Sequence, residues 1–161
     1  MRESRHSVWE TRWVHPRFRL SDPAVPPASD LIAAVLAEYD MAAGRQLRGG
    51  PSATAADFSP PDGAYVAGFV GDVAVCGGGI KDLGSGVAEL KRMYVTPPFR
   101  GRGIAQALLG VLEGTARGLG YQCVRLDSKA STWPIYVTAG YAQLPNYNDN
   151  PHADFWGEKT L

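Results

Sequence analysis

The sequence predicts an α/β (α+β) domain whose mixed, mostly antiparallel sheet is flanked by helices. Turn sequences at Gly71-Asp72 and Gly84–Gly86 divide residues 64–95 into three β-rich runs, as in an antiparallel meander. A helical pattern and then the buried run "YQCVRLDS" follow, and a βαβ crossover makes that strand parallel to the last strand of the meander. The length of 161 residues suits a single domain, 1–161, with its own core.

The N-terminal third is predicted from weaker patterns. The run Val8–Val14 alternates weakly between polar and apolar residues and suits a first strand. A proline-rich loop then leads to a helix over Asp30–Gly44, which Ser29 or Asp30 can cap and which Gly44 ends. Residues 45–63 have little apolar pattern, so we expect a long irregular loop with at most one short helix, at Ala53–Phe58. Loops of this length are often lids or binding loops.

Two helices are predicted after the meander. The first has an apolar face at helical spacing and ends near Gly118–Gly120; the face consists of Ile104, Leu108, Val111, Leu112 and Leu119. The second is short, starts at Ser131 or Thr132 and stops at Gly140, because Pro134 is then tolerated in its first turn. Two final strands are predicted in "YAQLPNY" and "ADFWGEKTL", around the polar loop "NYNDNPH".

Charge and composition exclude several classes of function. Lys plus Arg and Asp plus Glu both number 16, so the net charge is zero, whereas nucleic-acid binders usually carry a basic surplus. No run approaches the about 20 apolar residues that span a bilayer, and the charged N-terminus lacks a signal-peptide core. Cys76 and Cys123 suit reduced core thiols, and His6, His15 and His152 lack ligand-like spacing, so no metal site is expected. We therefore predict a soluble, cytoplasmic domain that contacts neither nucleic acid nor membrane.

The junction between the meander and the next helix has an unusual composition for a helix start. It reads Arg100-Gly101-Arg102-Gly103, although glycine is a poor helix former and a cation there opposes the helix macrodipole. A helix N-terminus exposes unpaired N–H groups, glycines let an anion approach the backbone, and arginines add charge-assisted hydrogen bonds. The junction therefore favours a phosphate-binding loop; the alternative is an ordinary turn with solvated arginines.

Three kinds of phosphate loop compete for this sequence. A nucleotide P-loop requires G-x-x-x-x-G-K-[ST], which is absent from the sequence. A dinucleotide-binding loop requires G-x-G-x-x-G, and Gln106 stands in place of the third glycine, although Asp127 follows at a suitable distance. The chain also reaches the glycines through a longer loop than that motif uses, and only one βαβ unit is present. The third kind fits better.

This third kind is the acetyl-CoA motif [QR]-x-x-G-x-[GA], which the chain matches as Arg100-Gly-Arg-Gly103-Ile-Ala105. Around it, "GVAELKRMYVTPPFRGRGIAQALL" resembles the fourth strand, pyrophosphate loop and third helix of the GNAT superfamily of N-acetyltransferases. The runs "YQCVRLDSK" and "IYVTAGYAQL" resemble the strand and helix that follow, and "AYVAGFVGDVAVCGGGIK" resembles the preceding hairpin. The resemblance covers about Ala64–Leu161, whereas the N-terminal third matches by element order only.

The resemblance implies a site for acetyl-CoA as the co-substrate. In the family, backbone groups at the end of the fourth strand bind the pantetheine arm by sheet-like hydrogen bonds, and the matching residues here are Met93, Tyr94 and Val95. Backbone N–H groups of the loop bind the pyrophosphate, and its arginine side chains can also screen the phosphates. The loop residues so implied are Arg100, Gly101, Arg102, Gly103, Ile104 and Ala105.

The resemblance also implies two catalytic residues. Glu89 matches the glutamate that acts as general base in several members of the family. The alternative is a surface carboxylate paired with Lys91 or Arg92. Tyr136 matches the tyrosine that lies beside the thioester sulfur and acts as general acid, and the alternative is a core aromatic residue on a short amphipathic helix.

The implied function is acetyl-CoA-dependent N-acetyl transfer to a primary amine of a small molecule. The other class of function is a catalytically weak acyl-CoA-binding or sensing module on the same fold, against which Glu89 and Tyr136 argue. Trp133-Pro134 stands where many relatives have small helix-favouring residues, so contacts near the cofactor are expected to differ. The acceptor pocket is expected between Asp30–Pro61 and Leu144–Asp154, and the sequence leaves the acceptor and the oligomeric state, a homodimer included, open.

Overall fold

The fold is a seven-stranded sheet with helices on both faces. A computed structural model describes residues 13–43 and 53–161 of the protein. The strands are β1 Arg17–Leu20, β2 Ala64–Val70, β3 Val73–Gly84, β4 Val87–Val95, β5 Cys123–Ser128, β6 Ala142–Leu144 and β7 Phe155–Thr160. The helices are α1 Ala28–Ala43, α2 Ile104–Gly118 and α3 Trp133–Thr138, with short 3₁₀ helices at Ala55–Phe58 and Pro97–Phe99. Across the sheet the strands lie in the order β1-β2-β3-β4-β5-β7-β6.

The predicted meander and crossover are confirmed. β2, β3 and β4 pair antiparallel in sequence order, with turns at Gly71-Asp72 and Ser85-Gly86. Gly71 has φ +59°, the left-handed conformation that a tight hairpin turn uses and that glycine adopts without steric cost. After α2 the chain returns to the sheet, and β5 pairs parallel with β4.

β4 and β5 pair over a short stretch and then separate. Their register matches Val87–Glu89 with Cys123–Arg125, whereas β4 continues to Val95 and β5 continues to Ser128. The second half of β4 therefore presents backbone N–H and C=O groups that no strand pairs on the β5 side. We call the opening between these separating strand ends the cleft.

A bulge in β4 lies beside the cleft. The β3–β4 register shifts between Gly77 and Gly79, so that Arg92 and Met93 both lie opposite the single residue between these glycines. Arg92 has φ +58°, a left-handed backbone conformation that is uncommon for a residue other than glycine. Because bulges redirect side chains, the alternation of the sequence does not predict the direction of the Arg92 side chain.

Two apolar layers enclose the sheet. On one face, α2 contributes buried side chains at helical spacing, which are Ile104, Leu108, Leu109, Leu112 and Ala116. On the other face, α1 and the 3₁₀ helix Ala55–Phe58 pack against Tyr65 and Tyr94. Burying one large apolar side chain contributes about 1.5–3 kcal/mol, so these layers fix the sheet between the helices. Leu119 was expected on the apolar face of α2 but is 40 % exposed, because the helix ends one residue earlier.

The N-terminal predictions need correction. Residues 1–12 lie outside the described ranges, and with them His6 and most of the predicted strand Val8–Val14; Trp13 and Val14 are not in a strand. The first described strand is β1, which pairs antiparallel with β2. α1 begins at Ala28, because the N–H of Leu31 already bonds the carbonyl of Pro27 at 3.1 Å. The predicted caps Ser29 and Asp30 therefore lie in its first turn.

The remaining helix predictions are close to the structure. The short helix expected within Ala53–Phe58 is the 3₁₀ helix Ala55–Phe58, whose Thr54 N–H bonds Oδ2 of Asp57 at 2.7 Å. Residues 44–52, and with them Gly44, lie outside the described ranges. α3 follows Thr132 and carries its proline in the first turn, as predicted. Within the two described ranges, no helix has the length and apolar content needed to cross a membrane.

Candidate active site

Polar side chains from five elements meet at the cleft. They come from α1, β4, β5, α3 and the loop between β6 and β7, and they are Tyr39, Glu89, Arg92, Asp127, Tyr136, Tyr147 and Asn148. Hydrogen bonds join Glu89, Asp127 and the loop, whereas Tyr39, Arg92 and Tyr136 interact electrostatically with Asp127 or with one another. A convergence of titratable groups where two strands separate is a candidate active site.

Glu89 is buried at this site and not at the surface, with only 3 % of the residue exposed. Its Oε1 lies 3.0 Å from Nζ of Lys91, so the pairing that the alternative interpretation expected is present in a buried setting. Its Oε2 accepts hydrogen bonds from the Tyr147 hydroxyl at 2.7 Å and from Nδ2 of Asn148 at 3.3 Å. Three donors therefore orient the carboxylate from two directions.

Asn148 links the two carboxylates of the cleft. Its Nδ2 donates to Oδ2 of Asp127 at 2.6 Å as well as to Glu89, and its Oδ1 accepts from the indole Nε1 of Trp156 at 2.8 Å. The Asn148 amide is thereby fixed in orientation, because its oxygen faces the indole N–H and its nitrogen faces two acceptors. One neutral amide thus bridges two acidic groups.

The loop that carries Tyr147 and Asn148 is organised by its own asparagines. Oδ1 of Asn146 accepts from the N–H groups of Asn148 and Asp149, at 3.2 and 2.8 Å. Such side-chain-to-backbone bonds stabilise turns that a polar sequence would otherwise leave open. The same loop contains His152, whose backbone N–H bonds Oδ1 of Asn150 at 3.0 Å. Internal hydrogen bonds therefore order the loop, which places Tyr147 and Asn148 at the cleft.

Tyr136 closes the cleft from α3. Its hydroxyl lies 3.6 Å from Sδ of Met93, a weak acceptor, and its ring packs edge-on against Tyr141 with centroids 5.8 Å apart. Burial raises the pKa of Tyr136 above its usual value, and the neighbouring Tyr39 and Asp127 add to that rise. The phenol is consequently protonated at neutral pH and is a hydrogen-bond donor.

Trp133, in the Trp133-Pro134 dipeptide that departs from the family pattern, packs between α3 and β7. Its ring stacks on Phe155 with centroids 5.2 Å apart and an interplanar angle of 9°. A Cβ at Gly157 would come within 2.8 Å of the same ring, so the absence of a side chain there makes room for the indole. This tryptophan therefore anchors α3 to β7 and keeps Tyr136 over the cleft.

Arg92 is the least satisfied polar group of the cleft. The residue is 8 % exposed, and its buried Nε has no hydrogen-bond partner among residues 13–43 and 53–161. Burial lowers the pKa of Arg92, while the nearby Tyr39, Asp127 and Glu89 oppose that effect. The guanidinium thus lies among acidic and phenolic groups without a hydrogen bond at Nε.

The glycine-arginine junction forms the loop that leads into α2. Gly103 stands directly before the helix with φ +76°, and the helix has no side-chain cap hydrogen bond there. A Cβ at Gly103 would overlap the ring of Trp13, so this position is restricted by space as well as by conformation. The N–H groups of the first turn of α2, at Ile104 and Ala105, have no partner within the helix and are available to an anion.

The two arginines of the loop differ in their contacts. Arg100 donates from Nε to the carbonyl of Val95 at 2.8 Å and pairs through Nη2 with Glu38 of α1 at 2.7 Å. Arg100 therefore ties the loop to β4 and α1, and its screening of phosphates stays a prediction. Arg102 is exposed, with its guanidinium 5.7 Å from the ring centroid of Phe99. Of the two, Arg102 is the one whose guanidinium is open to a ligand.

Sequence reasoning found Glu89 and Tyr136 but missed four of the groups around them. It considered Asp127 only as a dinucleotide ligand, and it gave Tyr147, Asn148 and Tyr39 no role. Alternation along β5 would have placed Asp127 on the face of Arg125, beyond the last residue paired with β4. For Tyr147 and Asn148 the available sign was the asparagine-rich composition of a loop long enough to be functional.

Comparison with known proteins identifies a matching family. The sequence model of the acetyltransferase (GNAT) family matches residues 32–141, which include α1 beyond its first turn, the meander, the loop, α2, β5 and α3. No curated protein sequence matches the chain significantly. The family match therefore rests on the sequence model, over residues 32–141.

Several solved structures share the fold over nearly their whole length. A protein of Klebsiella pneumoniae, assigned as an acyl-CoA N-acyltransferase, is 25 % identical with a TM-score of 0.71, over 91 % of this chain and 97 % of that chain. A GNAT-family acetyltransferase of Staphylococcus aureus is 11 % identical with a TM-score of 0.74, over 90 % and 99 % of the two chains. An aminoglycoside 6′-N-acetyltransferase complexed with coenzyme A is 18 % identical with a TM-score of 0.67, over 89 % and 96 %.

Proposed function

Because the chain belongs to the acetyltransferase (GNAT) family, we propose that it transfers an acetyl group from acetyl-CoA to a primary amine of a small molecule. Family and fold support acyl-CoA-dependent acetyl transfer, and the amine acceptor is our inference. The observation that carries it is the cleft, where an unpaired edge of β4, a buried carboxylate and a protonated phenol lie together. These are the three parts that an acetyl transfer to nitrogen requires.

The residues present fit coenzyme A. The second half of β4 offers unpaired backbone groups at Met93 and Tyr94 to the pantetheine amides, while the carbonyl of Val95 already accepts from Arg100. The loop Arg100–Ala105 offers the uncapped first turn of α2 to the pyrophosphate, and Arg102 adds an exposed cation. The co-substrate, when bound, supplies the activated acetyl thioester.

Glu89 would remove the proton that keeps the acceptor amine from reacting. An ionised carboxylate has about four lone-pair positions, and Lys91, Tyr147 and Asn148 occupy three of those on Glu89. One position is left for an ammonium proton, directly or through a water molecule. The freed nitrogen lone pair then forms a bond to the carbonyl carbon of the thioester, as the carbon–sulfur bond breaks and its electron pair leaves with sulfur. The amide nitrogen releases its second proton to solvent, and that proton balances the one that Tyr136 gives to sulfur and regains from solvent.

Tyr136 would return a proton to the departing sulfur. Its phenol is protonated at neutral pH, and its hydroxyl has only the thioether of Met93 as a partner among the described residues. Because the hydrogen bond to Met93 is weak, breaking it to donate to the thiolate of the departing coenzyme A costs little free energy. Met93 also belongs to the pantetheine-binding end of β4, so the hydroxyl lies beside the expected path of the sulfur.

One observation favours the other class of function, a binding or sensing module. The three donors leave Glu89 with one free acceptor position, and a module without turnover would need no base at all. The experiment that separates the two classes mixes the protein with acetyl-CoA and a broad amine panel and follows free thiol. Thiol release that requires both protein and an amine supports the transferase, whereas tight acetyl-CoA binding by calorimetry without amine-dependent release supports the module.

A further inference from the structure

We propose that the acceptor carries a carboxylate close to its amine and that Arg92 binds this carboxylate in the cleft. The inference rests on the proposed acetyl transfer and names the chemical class of its acceptor, an amino carboxylic acid. Arg92 is then a residue that determines specificity for the acceptor and takes no part in the proton transfers.

The first support is the unmet hydrogen-bonding capacity of Arg92. A guanidinium has five N–H donors in a planar fork, and native proteins leave few buried donors without a partner. Nε of Arg92 is such a donor among the described residues, although the residue is 8 % exposed. A planar carboxylate matches the fork of a guanidinium with two parallel hydrogen bonds. A ligand carboxylate would therefore satisfy a group that the described protein does not.

The second support is the balance of charge in the cleft. Glu89 already has an ionic partner, because Nζ of Lys91 lies 3.0 Å from its Oε1. Asp127 accepts only the neutral Asn148 amide, at 2.6 Å, and neither it nor Arg92 is in an ion pair within the two described ranges. One cation and one anion thus remain without an ionic hydrogen-bond partner. A zwitterion complements both, with its carboxylate toward Arg92 and its ammonium toward Asp127 and Glu89.

The same charges disfavour a phosphate on Arg92. A phosphate monoester carries up to two negative charges, and Asp127 and Glu89 both lie close enough to act on the arginine electrostatically. A carboxylate carries one negative charge and comes with its own ammonium in an amino acid, so the ligand adds no net charge to a buried site. An amino carboxylic acid is therefore the better complement.

The third support is the position of Arg92 along β4. Arg92 and Met93 are adjacent in the bulge, and the Met93 sulfur contacts the hydroxyl of Tyr136. A carboxylate bound at Arg92 keeps its own amine near Glu89, which would take a proton from the amine, and near Tyr136, which would give a proton to the departing sulfur. This arrangement favours an amine that is separated from the carboxylate by a short linker, as in an α-amino acid.

The test compares acids with their amides. Wild-type protein is given acetyl-CoA with the common L-amino acids and with their α-carboxamides, which keep the amine and lose the negative charge. Since a hydrogen bond to a charged group contributes about 1.5–3 kcal/mol, we expect the best acid to exceed its carboxamide in kcat/KM by about tenfold or more. Calorimetric titration of the same pair into protein saturated with coenzyme A should show the same preference without turnover.

Variants assign the preference to Arg92. Arg92→Gln should raise KM for the acid, leave the carboxamide nearly unchanged and so remove the preference, with acetyl-CoA affinity retained. Arg92→Lys keeps the positive charge but not the planar fork of donors. Its preference for the acid should lie between the preferences of wild type and of Arg92→Gln. Arg19→Gln is the control. Arg19 of β1 has its guanidinium 4.0 Å from the ring centroid of Phe69 of β2, away from the cleft, so this variant should behave as wild type.

The outcomes separate the acceptor class from the acetyl transfer itself. Equal or better acetylation of carboxamides by wild type, or a preference that survives in Arg92→Gln, overturns the role of Arg92. Turnover with amines that carry no carboxylate, and with no amino acid, overturns the acceptor class while the transferase stands. Absence of acetyl-CoA binding and of thiol release with every amine instead counts against the transferase, and the acceptor proposal falls with it.

Discussion

The hydroxyl of Tyr147 donates a hydrogen bond of 2.7 Å to Oε2 of Glu89, between residues on β4 and on the loop that precedes β7. The Lys91 ammonium holds the other carboxylate oxygen at 3.0 Å. The protein itself therefore fixes the orientation of Glu89, which is what a general base needs and what a solvated surface carboxylate lacks. Burial raises the pKa of Tyr147, and the nearby Glu89 carboxylate raises it further, so the phenol remains a donor.

Glu89→Gln tests the base directly, since it keeps the size of the side chain and one acceptor oxygen and removes its basicity, while its amide nitrogen can no longer accept from the donors on the other oxygen. We expect kcat/KM to fall about 10²-fold or more near neutral pH, the usual contribution of general-base catalysis. The deficit should shrink at alkaline pH, where the amine is already neutral. Glu158→Gln is the control, because Glu158 is paired with Arg125 at 2.6 Å and has no contact with Glu89 among the described residues. A variant whose pH profile overlays that of wild type shows that Glu89 is not the base.

Tyr136→Phe should separate turnover from cofactor binding. The ring still packs against Tyr141 and Trp133, and only the hydroxyl near Met93 is lost. We expect acetyl-CoA affinity to stay near wild type, while kcat falls by about 10²-fold, at the lower end of general-acid effects because water replaces part of the donor. Calorimetry and steady-state kinetics measure the two quantities. An unchanged kcat where chemistry limits the rate makes Tyr136 a packing residue.

Arg102→Glu should weaken acetyl-CoA binding without weakening the fold. The substitution places an anion beside the first turn of α2, where the pyrophosphate is expected, and Arg102 is exposed. We expect the dissociation constant to rise about tenfold or more, and wild-type affinity to fall as salt rises, because exposed charge pairs are screened. Arg117→Glu, in the last turn of the same helix, is the matched charge reversal and should bind nearly as wild type. Similar losses in both variants would assign the effect to net charge.

Gly103 is a poor position at which to test the phosphate-binding loop alone. Gly103→Asp places an anion near the expected pyrophosphate, but it also requires φ +76° from a residue with a Cβ and overlaps Trp13. We therefore expect Gly103→Asp to lower the free energy of unfolding as well as cofactor affinity. Chemical denaturation alongside calorimetry separates these losses, and a variant as stable as wild type would contradict the expected strain.

Tyr65→Phe should stabilise the protein or leave it unchanged. The Tyr65 hydroxyl is buried and has no hydrogen-bond partner in the described ranges, so removing it should add up to about 1 kcal/mol to the free energy of unfolding. Tyr141→Phe is the contrasting variant, because the Tyr141 hydroxyl bonds Oε1 of buried Glu113 at 3.0 Å. Its loss should cost about 1–3 kcal/mol. Urea denaturation measures both, and a Tyr65→Phe variant destabilised as much as Tyr141→Phe would contradict this account.

The Tyr65→Phe substitution should also change how the free energy of unfolding depends on pH. Burial raises the pKa of Tyr65 above the ordinary value of 10.0, so the folded protein holds this proton where the unfolded chain has released it. Below that value both states hold the proton and Tyr65 gives the free energy of unfolding no pH dependence, whereas above it the free energy of unfolding falls as pH rises. We therefore expect the alkaline fall in the free energy of unfolding to be shallower for Tyr65→Phe than for wild type. An unchanged slope would mean that other tyrosines and thiols account for the fall.

The parts of the fold that the sequence predicts well are those set by local chemistry. Gly71-Asp72 and Ser85-Gly86 mark the hairpin turns, and the 3.6-residue apolar period of α2 marks a helix that must cover the sheet. The helix between the two strands carries the chain back to the end of the sheet where β4 began, and this crossover makes β5 parallel to β4. The predicted strand Val8–Val14 lies mostly outside the described residues, and β1 was not predicted because it has only four residues, Arg17–Leu20.

The parts of the site that the sequence does not predict depend on distant contacts. Tyr147 and Asn148 reach Glu89 from 58 and 59 residues away, which no local pattern encodes. The direction of Arg92 depends on a bulge, where the period of two that governs β alternation is interrupted. The pairing of the Arg100 side chain with Glu38 and the Val95 carbonyl depends on how α1 lies against β4, which no local pattern encodes.

The position of β7 between β5 and β6 has a consequence for the order in which the sheet is completed during synthesis. β6 pairs with β7 alone, so it cannot join the sheet until Phe155–Thr160 has left the ribosome, although β6 itself emerges earlier. The end of β7 at Thr160 follows the end of β5 at Ser128 by 32 residues, so at about 5–20 residues per second the open edge of β5 is exposed for about 2–6 seconds. During that interval a nascent chain presents an unpaired strand edge, the feature through which chains pair with one another. A ribosomal pause just before β7 would lengthen this exposure, while a pause after it would not.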